Sequence, residues 1–234
     1  MLIGGIQEFT TLDFPGRLAT VVFTAGCNFR CGYCHNPQFV DEDQVKNIRT
    51  KNIPEETFFK FLEKRKGKLE GVCISGGEPT IQADILEFSR KIKQAGFLVK
   101  LDTNGTRPAI LEKMIAEKVV DFFAMDIKTS LPRYREVVKA CFSENDIKKS
   151  KEIIQNSGLP YEFRTTAIKG VHTKEVFEEI GEWVRGAEAY FIQNFRSKKV
   201  LSEEYAKKEG FSEKELLEFK ILMEKHVKNC EIRN

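Results

Sequence analysis

The sequence has no long apolar run and no excess of one charge. None of its apolar stretches approaches the ~20 residues that span a bilayer, and its first residues lack the charged segment and cleavage site of a signal peptide. The 38 Lys and Arg residues are matched by 35 Asp and Glu residues, and the two signs are interspersed along the chain. This balance gives little support to membrane or nucleic-acid binding. We therefore expect a cytoplasmic protein with neither kind of partner.

Cysteine is scarce outside one short segment. The chain has six cysteines, and three of them fall within eight residues, at Cys27, Cys31 and Cys34. The others stand alone: Cys73, Cys141 and Cys230. In a cytosolic chain such a group indicates metal or redox chemistry rather than disulfide bonds.

Short apolar segments alternate with stretches of helical periodicity, a pattern typical of a parallel α/β sheet. The predicted strands are Ala19–Thr24, Gly71–Ser75, Phe97–Leu101, Asp121–Asp126, Tyr161–Thr166 and Ala189–Gln193. Periodicity leaves an open doubly wound sheet and an incomplete (β/α) barrel equally open. In both, ligands bind at the carboxyl ends of the strands. Among the helix signals, Pro54 predicts a helix start and Thr106 a helix cap.

The three clustered cysteines follow the first predicted strand. Gly26, Gly32 and the pair Asn36-Pro37 favour a loop rather than a helix here. Three thiolates without a fourth nearby suit two kinds of site. One is a zinc site completed by His35 or a distant ligand, and the other is a [4Fe–4S] cluster with one iron left open.

The spacing Cys27-x3-Cys31-x2-Cys34, with the aromatic Tyr33 before the third cysteine, resembles the signature of the radical S-adenosylmethionine (SAM) superfamily. The resemblance implies a partial (β/α)6 TIM-like barrel of the radical SAM type, whose three cysteines hold a [4Fe–4S] cluster beside Tyr33. It further implies that the open iron chelates SAM and that one electron from the cluster splits SAM into methionine and a 5′-deoxyadenosyl radical. A fourth cysteine would occupy the position that SAM requires.

The second predicted strand is followed by Gly76, Gly77, Glu78 and Pro79. The glycines allow close approach of the backbone to a ligand, and a carboxylate accepts hydrogen bonds from an ammonium group. In the superfamily the matching stretch contacts the methionine amino group of SAM, so the first three of these residues are candidate cofactor contacts.

The third and fourth strands end in Asp102-Thr103-Asn104 and Asp126-Ile-Lys128, which resemble the activating enzymes of glycyl radical enzymes. The resemblance implies that Asn104, Asp126 and Lys128 face the cofactor. It also implies a possible monovalent-cation site formed by Asp102, Thr103 and Asp126.

The last two predicted strands also carry polar residues near their ends. Arg164 has the geometry to pair in bidentate fashion with the carboxylate of the cofactor. Gln193 is a candidate contact to adenine or ribose, with an ordinary hydrogen bond at the barrel end as the alternative.

The stretch from Gly5 to Arg17, together with His35-Asn36-Pro37, resembles the longer type of anaerobic ribonucleoside-triphosphate reductase activating protein. This implies a single radical SAM domain over 1–234, with an N-terminal extension 1–17, a barrel over about 18–196 and a helical segment over about 197–234. It implies a glycyl radical enzyme as partner and a flavodoxin or ferredoxin as electron donor, with no catalytic residue beyond the cluster and its bound SAM.

Other functions remain open at this point. The segment Phe39–Glu70 has no cysteine, which disfavours the activators that insert a ferredoxin-like region there. Activation of pyruvate formate-lyase is the nearest alternative, followed by a radical enzyme acting on a small molecule or a peptide. A zinc-stabilised binding module without catalysis is the competing class.

Overall fold

Eight strands make one sheet. They are β1 (Ile3–Thr10), β2 (Ala19–Thr24), β3 (Gly71–Gly76), β4 (Leu98–Thr103), β5 (Phe122–Asp126), β6 (Tyr161–Ala167), β7 (Tyr190–Asn194) and β8 (Cys230–Arg233). The computed structural model describes residues 1–233, and in this range the strands follow one another in chain order without pairing of β8 to β1. Strands β2 to β8 pair in parallel, whereas β1 is antiparallel to β2. The fold is thus a partial barrel with two open edges.

The six predicted strands correspond to β2 through β7, with bounds that differ by at most two residues. Strands β1 and β8 were not predicted, so the expected six-stranded barrel is extended at both edges. The N-terminal stretch 1–17 contains β1, and the segment after residue 196 ends in β8 rather than being helical throughout. Both additions lie outside the βα alternation: β1 joins β2 as an antiparallel hairpin, and β8 is only four residues long.

Nine α-helices occur in residues 1–233. They are α1 (Glu42–Lys51), α2 (Glu55–Lys64), α3 (Ile85–Gln94), α4 (Pro108–Ala116), α5 (Tyr134–Val138), α6 (Glu144–Gln155), α7 (Lys174–Trp183), α8 (Glu203–Ala206) and α9 (Glu213–Met223). Over the same residues no helix has both the length and the apolar character needed to cross a bilayer.

The predicted start at Pro54 is confirmed, because α2 begins directly after it. The predicted cap at Thr106 is wrong, since α4 is preceded by Arg107 and has no side-chain cap. The Thr106 hydroxyl instead donates to Asn104 Oδ1 at 2.7 Å. A side chain that suits a helix cap is therefore used at the carboxyl end of a strand.

The two faces of the sheet have opposite characters. In β4, Val99 and Leu101 are fully buried in the apolar core beneath the helices. The alternate residues Lys100 and Asp102 form an ion pair on the other face, because successive side chains of a strand point to opposite faces. Arg164 of β6 joins the same charged group through Asp102, at 3.4 Å. In β4 the outer face is thus apolar and the inner face charged, and this brings polar side chains to the barrel mouth.

Candidate active site

A cavity of about 430 Å³ lies at the carboxyl ends of strands β2 to β7. All of the site residues predicted from the sequence line this cavity: Cys27, Cys31, Tyr33, Cys34, Gly76, Gly77, Glu78, Asp102, Thr103, Asn104, Asp126, Lys128, Arg164 and Gln193. Residues from six strand ends therefore share one site. The contact that each would make with a cofactor stays a prediction.

The three cysteines lie in a loop rather than on a helix, as the glycines around them predicted. Cys31 is buried, whereas Cys27 and Cys34 are partly exposed. Burial raises the pKa of Cys27 to about 12 and that of Cys31 to about 11. Because thiolate is the form that binds metal, these sulfurs need the positive charge of a bound metal to lose their protons near neutral pH.

The spacing of the thiols bears on which metal group they suit. Four ligands around one zinc ion place their sulfur atoms about 3.8 Å apart. Among residues 1–233, Cys27, Cys31 and Cys34 do not form a set whose sulfur atoms all lie within 4.8 Å of one another. The three sulfurs are thus not gathered as ligands of one tetrahedral zinc ion, whereas an iron–sulfur cluster binds its cysteines through separate irons.

His35 is not arranged as a fourth ligand. Its Nε2 lies 2.8 Å from the carbonyl oxygen of Arg196, and its ring stacks on Phe195 with centroids 5.8 Å apart. These contacts attach the cysteine loop to the segment that follows β7. This arrangement weakens the alternative of a zinc site completed by His35.

Tyr33 lines the cavity and carries a buried polar atom without a partner in the described part of the chain. The residue is 4% exposed, and its buried hydroxyl has no hydrogen-bond partner among the described residues. Burial raises its pKa well above the ordinary value, so the hydroxyl stays neutral and can donate a hydrogen bond. A buried hydroxyl without a partner costs free energy, which the fold bears at this residue next to Cys34.

Glu78 ties together the ends of β3 and β4. Its carboxylate accepts from the Thr103 hydroxyl at 2.8 Å, from the Asn104 N–H at 2.6 Å and from the Thr80 N–H at 3.1 Å. Burial raises the pKa of Glu78, and these hydrogen bonds oppose the increase. The Glu78 carboxylate therefore already accepts several hydrogen bonds from the protein. Its contact with the ammonium group of a cofactor stays a prediction.

Gly77 allows the turn after β3 to pack on the cysteine loop. A Cβ atom at this position would lie 2.0 Å from the Gly26 carbonyl oxygen. The Glu78 N–H also donates to that oxygen, at 2.8 Å. Only glycine permits this approach without moving one of the two loops.

Asn104 connects the end of β4 to the cysteine loop. Its Nδ2 donates to Asn28 Oδ1 at 2.9 Å and lies 4.0 Å from Cys27 Sγ. Asn28 in turn donates to the Thr106 hydroxyl at 2.8 Å. Asn28 was not predicted as part of the site, because the cysteine spacing does not specify which residues lie between the first two cysteines.

Charged groups alternate across the cavity floor. Arg164 Nε lies 2.9 Å from Asp126 Oδ1, and Lys128 Nζ lies 2.9 Å from Asp126 Oδ2. Burial alone would raise the pKa of Asp126, but the Arg164 and Lys128 charges hold it below its usual range. Asp102 accepts from Lys100 and from Ser75 in the same region. The chain therefore keeps both carboxylates ionised in a buried setting.

This network bears on two predicted roles. The expected ligands of a monovalent cation, Asp102 and Asp126, already contact ammonium and guanidinium groups, and the Thr103 hydroxyl is bound to Glu78. Arg164 already uses Nε and Nη1 for these carboxylates. The cation site stays a prediction that this arrangement does not favour, and bidentate binding of a cofactor carboxylate would require Arg164 to exchange partners.

His172 is a residue of the site region that sequence reasoning did not find. Its Nδ1 accepts from the Ile168 N–H at 3.2 Å, so Nε2 carries the proton and donates to the Lys128 carbonyl at 3.1 Å. Burial lowers its pKa to about 4. His172 therefore fixes the backbone beside Lys128 as a neutral ring. Nothing in its local sequence signals this role.

Several cavity residues carry no chemical motif that would have identified them. Asp13, from the β1–β2 connection, lines the cavity together with Phe23 of β2 and Thr166 of β6. Cys73 is fully buried in β3, and its sulfur lies 3.9 Å from Lys100 Nζ. His226 Nε2 lies 3.0 Å from Glu178 and its Nδ1 lies 3.6 Å from Glu182, and none of the three residues lines the cavity.

Comparisons with known proteins agree with this geometry. The profile of the radical SAM superfamily matches residues 21–184. A Methanocaldococcus jannaschii protein, whose name assigns it to the glycyl-radical enzyme activating enzymes, is 35% identical over 237 residues, which cover 99% of this chain and 95% of the relative. The pyruvate formate-lyase-activating enzyme of Streptococcus mutans is 32% identical over 196 residues, which cover 79% of this chain and 72% of that protein.

Solved structures of low sequence identity share the fold. TYW1 with a lysine-pyruvate adduct has a TM-score of 0.63 at 16% identity, over 89% of this chain and 74% of that one. Streptococcus suis SuiB bound to its precursor peptide SuiA has a TM-score of 0.66 at 16% identity, over 92% of this chain and 48% of that one. At this level of identity the likeness extends to the fold alone.

Proposed function

The chain belongs to the radical SAM superfamily and, within it, to the glycyl-radical enzyme activating enzymes, and we propose that it forms a glycyl radical on a separate partner enzyme. The observation that carries the proposal is the cavity itself. It gathers a three-thiol loop and the polar ends of five further strands. A relative that matches almost end to end carries the same functional name.

The family uses a [4Fe–4S] cluster and SAM. In this chain we assign the cluster to Cys27, Cys31 and Cys34, which leaves one iron for SAM. When bound, the reduced cluster supplies the electron that splits SAM and so provides the radical that takes a hydrogen atom from glycine.

The chain's own residues hold and orient the reactants. Glu78 fixes the turn after β3 against the end of β4, and Asn104 holds that end against the cysteine loop. Tyr33 lines the same cavity beside the third cysteine of the loop. Hydrogen-atom transfer depends on the closeness of the reacting carbons rather than on a general base, so rigid positioning is the contribution required of the protein.

Pyruvate formate-lyase, or a glycyl radical enzyme of similar type, is the partner we place first. Relatives whose names state a target include pyruvate formate-lyase activators, among them the Streptococcus mutans protein. The anaerobic ribonucleoside-triphosphate reductase is the second candidate. It is favoured by the resemblance that the stretch 5–17 carries. This stretch lies in β1 and in the connection that brings Asp13 to the cavity.

The test is to reconstitute the cluster without oxygen, reduce it with dithionite and add SAM together with each candidate partner. We expect a glycyl doublet by electron paramagnetic resonance with one partner, and one 5′-deoxyadenosine formed for each radical. A partner whose radical glycine is replaced by alanine serves as the control. Deoxyadenosine without a protein radical on either partner would instead indicate an enzyme acting on a small molecule or a peptide.

A further inference from the structure

The cysteine loop is attached to the rest of the chain on two sides. Its first half, around Cys27, contacts the ends of β3 and β4. The Glu78 N–H donates to the Gly26 carbonyl oxygen at 2.8 Å. Asn104 Nδ2 donates to Asn28 Oδ1 at 2.9 Å. The second half carries the other two cysteines and is contacted by the segment that follows β7, so the two halves depend on different parts of the fold.

The segment that follows β7 closes on itself. Asn194 Oδ1 accepts from the Phe211 N–H at 2.9 Å, and Asn194 Nδ2 donates to the Phe211 carbonyl oxygen at 3.0 Å. These two hydrogen bonds join the ends of the stretch Phe195–Gly210, which contains the short helix α8. Compact loops of this length whose ends lie close together are Ω-loops, which are frequently functional. We name this stretch the Ω-loop.

The Ω-loop contacts the cysteine loop on both sides of Cys34. The Ser202 N–H donates to the Gly32 carbonyl oxygen at 2.9 Å, shortly before this cysteine. Directly after it, His35 Nε2 donates to the Arg196 carbonyl oxygen at 2.8 Å. The path of the chain through Cys34 is therefore fixed by hydrogen bonds to the Ω-loop.

Tyr205 of α8 fills the space between these two contacts. The residue is 4% exposed, and a Cβ atom at Gly32 would lie 2.4 Å from Cδ2 of its ring. Its ring centroid lies 5.8 Å from that of Tyr33, and Lys208 Nζ lies 5.3 Å from the same centroid. Glycine at position 32 is what allows the ring to pack this closely on the backbone of the cysteine loop.

We propose that Tyr205 is a positioning residue that holds the half of the cysteine loop carrying Cys31 and Cys34, as the strand ends hold Cys27. This inference rests on the proposed function, because a cluster bound through separate irons requires all three sulfurs in fixed relative positions. A loop already held in place has less conformational entropy to lose when the cluster binds. Tyr205 acts through Gly32 and the backbone next to it.

The test follows the alkylation of single cysteines by iodoacetamide in the full chain without its cluster, at one pH, with mass spectrometry of the labelled peptides. In Tyr205→Ala we expect Cys31, which is buried, to react about tenfold faster or more, because loss of a buried aromatic ring lowers the cost of local opening. Cys27 and Cys73 should keep their wild-type rates. Tyr205→Phe retains the ring and should behave like the wild type, and Tyr205→Leu should react at an intermediate rate.

The matched control is Tyr161→Ala, which removes the same side chain from a buried position at the start of β6. That end of the strand is opposite to the end at which the cysteine loop lies. The control should not make Cys31 more reactive relative to Cys73. The inference is overturned if Cys31 keeps its wild-type rate in Tyr205→Ala, or if Cys27, Cys31 and Cys73 all react faster together, as in a protein that is less stable throughout.

The reconstituted holoenzyme gives a second readout, the rate at which iron is lost to a chelator. Tyr205→Ala should lose iron about tenfold faster than Tyr161→Ala, and Tyr205→Phe should retain it like the wild type. Equal rates of iron loss in the two alanine variants would also overturn the inference. Failure of the proposed function has a different sign, namely a wild type that binds no iron, and the alkylation rates would then still decide the role of Tyr205.

Discussion

His172 Nε2 lies 3.1 Å from the carbonyl oxygen of Lys128, so a residue that follows β6 fixes the backbone at the end of β5. Lys128 in turn pairs through its ammonium group with Asp126. The buried His172 ring therefore helps to fix the ammonium group of Lys128 at the cavity, although His172 does not line the cavity itself.

Replacing His172 by alanine should destabilise the protein. The change leaves the Ile168 N–H and the Lys128 carbonyl without their partners in a buried place, which costs about 1–3 kcal/mol for each group. Chemical denaturation measures the loss. The variant His172→Gln retains a donor and an acceptor and should lose less. Equal stability of the alanine variant and the wild type would contradict the assigned hydrogen bonds.

The same ring predicts a pH dependence of stability. The pKa of His172 is about 4 in the folded protein, against about 6.5 in an unfolded chain. Between these values the unfolded state binds more protons, so the free energy of unfolding should fall by about 3 kcal/mol as the pH drops from 6.5 to 4. The variant His172→Gln should lack this part of the dependence. An identical pH profile in both proteins would rule out His172 as its source.

Replacing Cys31 by alanine should remove the cluster while leaving a folded barrel. The wild type should contain about four irons per chain after reconstitution, and the variant should contain far less and cleave no SAM. Circular dichroism checks that the variant is folded. The buried Cys73, replaced by alanine, is the matched control and should keep its iron. Retained SAM cleavage by Cys31→Ala would mean that the ligands are assigned wrongly.

Gly77→Ala should separate the turn after β3 from the cysteine loop. The new Cβ would lie 2.0 Å from the Gly26 carbonyl oxygen, so backbone must move, and we expect a lower iron content together with a lower free energy of unfolding. Gly67→Ala is the control, because no atom lies within 4 Å of its Cβ position and only its positive φ is strained. It should cost about 1 kcal/mol without loss of iron. Equal effects at the two glycines would contradict the role of Gly77.

The sequence predicted the parts of the fold that are encoded by patterns of neighbouring residues. Strands β2 to β7 lie between helices and have mostly buried side chains, so they form short apolar runs with helix signals between them. Strand β1 contains Gly4 and Gly5 and several polar residues, and β8 has four residues. Neither pattern distinguishes a strand from a loop without the neighbouring strand.

The site was predictable in position but less so in its interactions. Placement of motifs at strand ends brought the expected residues to one cavity, because parallel strands end at the same edge of a sheet. The pairing of Asp126 with Arg164 depends on their being register partners in β5 and β6, which only the assembled sheet reveals. The contact of His172 with Lys128 likewise depends on the tertiary path of the loop after β6.

The most direct test of the central claim is to follow a hydrogen atom from the glycine of the partner enzyme into the 5′-deoxyadenosine that is formed from SAM. The partner enzyme is prepared with α-deuterated glycine and incubated with the reduced holoenzyme and SAM, and the 5′-deoxyadenosine is analysed by mass spectrometry. The account predicts one deuterium in the deoxyadenosine for each glycyl radical formed. Deoxyadenosine without deuterium, alongside a partner that carries no radical, would contradict it.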